Sequence, residues 1–290
     1  MFPRKEIKSN ARAALKANYW PVVGYPFLLG LLLVFILSIF EVFIMVALFG
    51  AVGLASLATM SPESLPLTAG GAGVAFLLYI ILMLVIVFGV NVIAVGELRF
   101  HYKFYSGDTA DFGTFFDGFK NGQMWHVVGG MFLMSLYLFL WTFVPTFVGA
   151  IILSVGIVMG SAGLIFVGSL LYIAGLAIMF VKAYQYSMLP YLLLDRPDFT
   201  VKDCFAMTKK MTAGNKWSLF VLDLSFIGWE FLSLFTLGLL TIFYVGPYMN
   251  LASAGAYDYL KRVHMPEAVP NNGAADFETS EVQDNDIFEE

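Results

Sequence analysis

The chain has very little of what soluble chemistry is built from. Of 290 residues, one is cysteine, three are histidine and only 13% are charged. The lone Cys204 excludes an intramolecular disulfide and any multi-thiolate metal site. His101, His126 and His264 lack ligand-like mutual spacing, so no metal is expected. There is no nucleotide-binding loop, and no Ser/His/Asp set falls at one membrane depth. No cofactor and no catalytic residue are therefore expected, and the chain reads as a non-enzyme. A soluble protein is about 25% charged, so an ordinary globular domain is excluded as well.

In place of charge there is apolar length. The sequence is 59% hydrophobic and 17% aromatic. A helix needs about 20 apolar residues to cross a hydrocarbon layer of roughly 30 Å, and several runs meet that length. A transmembrane β-barrel would alternate, whereas Val74–Val95 is apolar on every face. The fold class is thus all-α, a polytopic helical bundle with spans near 21–46, 72–96, 127–155, 162–189, 218–236 and 239–260. The run from Trp20 to Gly50 is too long for a cleavable signal core and reads as an uncleaved first span.

Basic residues are missing from alternate loops. None lies in 51–71, 160–163 or the turn at Leu237–Gly238, and all 16 Lys and Arg fall in the other segments. Short cytoplasmic loops are enriched in Lys and Arg, so both termini are expected on the cytoplasmic side. From Met265 onward the chain carries eight acids and no base, which reads as a disordered acidic cytoplasmic tail (265–290) following a membrane domain (1–264). Without those eight, the net charge of −5 becomes +3 on the membrane body, suited to anionic lipid at the cytoplasmic face.

Each odd-numbered span is introduced by a partly basic segment, a polar residue and a Trp: Trp20, Trp125 and Trp217. These three are expected to anchor at headgroup level, with amphipathic interfacial helices before them. Phe112, Phe115, Phe116 and Phe119 share one helical face in the second such segment. In the third, Thr200 and Asp203 form a capping box, and the basic Lys202–Lys216 stretch is a membrane-surface element rather than a nucleic-acid site. Duplication and chance explain the threefold pattern about equally well.

The stretches RKEIKSNARAALKANYW (4–20), Leu189-Pro190-Tyr191, Asp195-Arg196-Pro197, MTKKMTAGNKW (207–217), DLSFIGW (223–229), Pro247-Tyr248 and Ala256-Tyr257 are similar to a bacterial family of six-span integral membrane proteins, domain of unknown function 975. More loosely they resemble the membrane domain attached to some glycerophosphodiester phosphodiesterases, whose catalytic domain has no counterpart here. The resemblance implies a bacterial plasma membrane and assigns no activity.

Two acids stand out within the fifth span. Asp223 and Glu230 are seven residues apart, on nearly one helical face, at depths of about 9 Å and about 20 Å from Trp217. An acid in hydrocarbon costs roughly 2.5–3.5 kcal/mol on insertion scales and so faces a bundle interior or a watery cavity. Either they form a proton or cation relay, or Asp223 pairs with Lys216 or Lys182 while Glu230 joins helices as a neutral acid. Asn91 and Asn250 read as interhelical hydrogen-bonding residues. Pro145 and Pro247 are expected to kink their helices. Gly156/Gly160 and Gly89/Gly96 mark close helix contacts. Two functions follow: a non-enzymatic scaffold or assembly factor that binds lipid and a second membrane protein, or a small transporter working through Asp223 and Glu230.

Overall fold

A computed structural model describes residues 2–58, 65–120 and 122–266, and every regular element among them is helical. The acidic segment from 267 onward lies outside the described residues. In chain order the elements are α1 (Arg4–Ala17), α2 (Tyr19–Ala58), α3 (Leu65–Tyr105), a 3-10 helix (Phe112–Phe119), α4 (Met124–Met159) and α5 (Ala162–Tyr186). Then come α6 (Leu189–Asp195), α7 (Val201–Thr212), α8 (Lys216–Leu224), α9 (Ile227–Leu234), a π-helical turn (Thr241–Val245) and α10 (Gly246–His264). Among the described residues five helical stretches are long and apolar enough to cross a membrane: Tyr19–Val46, Tyr79–Tyr105, Met124–Met159, Ala162–Asp195 and Lys216–Leu234. The sixth expected span, 239–260, is helical too. Its second half is largely buried within the protein and carries Asp258, paired with Arg262 at 2.9 Å.

Burial is concentrated at one end of the long helices. In α2 the buried side chains are Val22, Val23 and Leu29, and none of residues 30–46 is buried. Among the α3 residues whose burial is described, the first buried one is Val92. The core at this end is made by α1, α6, α7 and α10 packing against the ends of α3, α4 and α5. Ile7, Ala11 and Leu15, at i, i+4 and i+8, put one face of α1 into it. Residues Leu189 to Leu194 of α6 are all buried. Beyond this core the helices present apolar side chains outward, as hydrocarbon solvation allows.

α4 and α5 form the most extensive helix pair, and its contact is made by backbone. Past the first turn of α4, glycines alone are buried in it: Gly130, Gly149 and Gly156. A Cβ at Gly149 would lie 2.6 Å from the Tyr172 backbone nitrogen, and one at Gly168 would lie 2.4 Å from that of Leu153. Small residues substitute here for the hydrophobic effect, which is absent between helices in lipid. Gly160 has a different role from its expected partner Gly156. At φ 67° it ends α4 in the left-handed conformation and starts the turn into α5. The Gly96 surface touches the Phe115 backbone, whereas Gly89 faces open space.

Two local expectations change. The Phe-rich segment is a 3-10 helix, and its Phe115 is fully buried, stacked 4.6 Å from Phe100, rather than lying at an interface. The fifth span is broken: Phe226 N–H bonds Asp223 O at 2.9 Å, a tight turn separating α8 from α9. The Thr200–Asp203 capping box is formed in full.

Candidate functional site

Pro247 lies beside a polar indentation between α2, α3 and α10. Lacking an N–H, it cannot bond the Phe243 carbonyl four residues back. That carbonyl accepts instead from Tyr19 Oη at 3.1 Å. The helix widens to a π turn over Thr241–Val245, with Gly246 N–H reaching the Thr241 carbonyl. π turns of this kind occur often at functional sites. Beside the turn lies a partly open cavity of about 520 Å³ between α2, α3 and α10. Val23, Phe27, Leu31 and Val34 of α2 form its apolar wall and Glu97, His101 and Asn250 its polar end, with Thr241 lining it nine residues from Asn250 along the chain.

The polar end is incompletely satisfied. Asn250 Nδ2 lies 3.5 Å from Glu97 Oε1, a long hydrogen bond that does join α10 to α3 as expected. No basic side chain among the described residues lies within 4 Å of the Glu97 carboxylate. His101 is fully buried, its Nδ1 is 2.9 Å from the Glu97 carbonyl and its Nε2 has no partner. Sequence reasoning missed Glu97 because it falls one residue past the expected end of the second span at Gly96. The signal was present in the i, i+4 spacing of Glu97 and His101.

The structure does not bring Asp223 and Glu230 together. Asp223, in α8, accepts a hydrogen bond from Tyr184 Oη at 2.8 Å. The lysines expected to pair with it go elsewhere: Lys182 Nζ sits 4.2 Å over the Trp141 ring, and Lys216 Nζ is 3.4 Å from Gln185 Oε1. Glu230, in α9, is 3.0 Å from Thr241 Oγ1, which is 2.7 Å from Ser233 Oγ. The Thr241 N–H also donates to Ser233 Oγ at 3.0 Å, so this cluster fastens α9 to the π turn. Lys8 of α1 reaches the break between α8 and α9, with Nζ 2.9 Å from Ser225 Oγ and 4.5 Å from the Phe226 ring centre. Burial first, then the nearby Arg12 charge, lowers the Lys8 pKa.

Trp20, Trp125 and Trp217 are 79%, 74% and 71% exposed. Asn91 bonds only its own helix, through Val87 O at 2.7 Å.

A second polar group, near the basic loops, is closed on itself. Asp195 accepts from Lys261 Nζ at 2.7 Å and from Tyr257 Oη at 2.6 Å, and Tyr257 stacks 4.8 Å from Tyr191. Close by, Arg99, Lys103 and Lys120 converge on Asp117 at 3.4, 4.0 and 2.8 Å. The side chains of Asp195 and Lys261 are 21% and 8% exposed, so their partners are needed to compensate lost hydration.

An all-helical chain with several membrane-length apolar helices and a core of paired charges at one end is a multi-pass integral membrane protein. More specifically, it belongs to the family described as "Protein of unknown function (DUF975)", whose profile matches residues 1–264. No curated protein and no solved structure matches the chain.

Proposed function

We propose that the protein is a non-enzymatic scaffold or assembly factor of the bacterial plasma membrane, with both termini cytoplasmic. The observation that supports this reading is the separation of the two intramembrane acids. Asp223 and Glu230 stand on different helical pieces, each engaged by a hydroxyl from a neighbouring element, so neither acid points along a shared path. A relay requires groups within hydrogen-bond reach of one another or linked by water. The paired charges instead hold a rigid base at the basic end, leaving the outer halves of α2 and α3 to meet lipid or a second membrane protein.

Proton flux in proteoliposomes is the corresponding test. Protein-free and protein-bearing vesicles are expected to leak equally, with Glu230→Gln and Asp223→Asn giving the same rate. A protein-dependent flux abolished by Glu230→Gln would establish transport. On the positive side, a photo-crosslinking residue at Phe43, exposed on the outer half of α2, is expected to give a discrete adduct with another membrane protein in cells, absent from buried Phe226. Lipid adducts alone at Phe43 would count against the scaffold.

The transporter reading draws on one separate observation. The cavity beside the π turn is lined by an acid, Glu97, that has no ionic partner among the described residues.

A further inference from the structure

We propose that this cavity binds the protonated head of an amphiphilic amine, with Glu97 as counter-ion and the α2 wall along the hydrocarbon. The proposal is independent of whether the protein scaffolds or transports.

The inventory of hydrogen-bonding groups leads there. Nδ1 of His101 faces the Glu97 carbonyl, an acceptor, so Nδ1 carries the proton and the unpartnered Nε2 of the neutral ring is an acceptor. Glu97 gives a carboxylate whose one hydrogen-bond partner among the described residues is Asn250 Nδ2, 3.5 Å from Oε1. The Asn250 amide directs its N–H toward Glu97, leaving its oxygen. Thr241 Oγ1 is already held by Glu230 and Ser233, and the Phe243 carbonyl by Tyr19. The polar end therefore offers one acid, hydrogen-bond acceptors and no Lys or Arg, which selects a ligand that donates hydrogen bonds and carries positive charge. An ammonium has three donors and matches this set.

Competing ligand classes fit less well. A structural or catalytic metal site uses three or more protein donors, and no group of three His, Cys, Asp or Glu comes together among the described residues. An anion would face the Glu97 charge. A quaternary ammonium has no N–H to give to Glu97 or to the Asn250 oxygen. The volume lies within the ~300–1,000 Å³ of small-molecule sites. Leu31 and Val34, at 57% and 64% exposed, carry the wall out onto the apolar flank of the bundle, so a hydrocarbon tail has continuous apolar surface to follow.

Such a head group could be supplied by an aminophospholipid of the bilayer or by a free lipophilic amine. The test uses purified full-length protein in phosphatidylcholine nanodiscs, which lack a primary amine, and measures binding of radiolabelled dodecylamine. Saturable one-to-one binding is expected, with dodecanol and dodecyltrimethylammonium at least tenfold weaker. Glu97→Gln is expected to weaken dodecylamine tenfold or more, about 1.4 kcal/mol, while keeping the wild-type elution profile. Gly30→Leu, at a cavity-lining position where a Cβ meets nothing within 4 Å, is expected to weaken binding without touching the acid. Competition on replacing phosphatidylcholine by phosphatidylethanolamine would identify the lipid head group as the source; no competition would identify a free amine. Non-saturable uptake, or equal uptake of dodecylamine by wild type, Glu97→Gln and Gly30→Leu, would overturn the proposal.

Discussion

At the scale of single residues, the polar side chains sort by how completely each is satisfied. Asp195 is engaged twice, by Lys261 and Tyr257, close to the buried aromatic stack of Tyr191. Removing one member of a buried pair leaves an uncompensated charge and costs roughly 3–5 kcal/mol. Lys261→Met is therefore expected to lower the thermal unfolding midpoint of the detergent-purified protein sharply. Tyr257→Phe, which deletes one hydrogen bond to a charged group worth about 1.5–3 kcal/mol, should lower it less. Cys204 makes a second case. Burial, then the charges of Asp203 and Asp198, push its thiol up to about 11, so at neutral pH it is a protonated, enclosed thiol. Maleimide is expected to leave Cys204 unmodified in the folded protein and to label it fully after SDS denaturation; rapid labelling of the folded protein would show α7 to be loosely docked.

At the scale of elements, glycine decides the α4–α5 contact. Gly168→Ala would put a Cβ against the Leu153 backbone, whereas the same change at Gly163 meets nothing within 4 Å. Gly168→Ala is expected to destabilise the protein, and Gly163→Ala to be neutral or to add about 0.5–1 kcal/mol through helix propensity. Comparison of the two unfolding midpoints checks this; equal midpoints would mean the helices do not approach at Gly168. The helices themselves were legible in the sequence, because runs of this length have few alternatives. Their packing was not. A helix apolar on every face has no stripe to say which side meets protein, so of the buried glycines of α4 and α5 only Gly156, through its Gly-x-x-x-Gly spacing, was marked by the sequence. The break at Ser225–Phe226 carries neither Gly nor Pro, and the heptad spacing of Asp223 and Glu230 gave no hint that a turn would separate them. α2 and α3, at 40 and 41 residues, are each about 60 Å long by helical rise, twice the hydrocarbon thickness. The hydropathy of their apolar stretches could not reveal that the backbone stays helical past the span.

At the scale of the whole molecule, stability and apolar surface are divided between two zones. The motifs that carried the family resemblance lie largely in the buried end: Leu189-Pro190-Tyr191 fills α6, Ala256-Tyr257 stacks on it, and Pro247-Tyr248 joins α10 to α1 through Tyr248 Oη and the Lys8 carbonyl at 3.2 Å. Those residues describe how the base is held together more than what it does. The α2 flank with its cavity and the exposed helix halves, to which the proposals above assign the function, are the part those motifs do not cover. This division rests on the intramembrane acids of α8 and α9 being sealed by their hydroxyl partners rather than lining a water path. Side-specific thiol labelling measures that directly. In a Cys204→Ser background, Glu230→Cys is challenged with membrane-impermeant maleimide from each face, with Ser106→Cys and Leu237→Cys as loop controls. Protection of position 230 from both faces, with each control labelled from a single opposite face, is the expected result; labelling of position 230 from either face would contradict it and place water at Glu230.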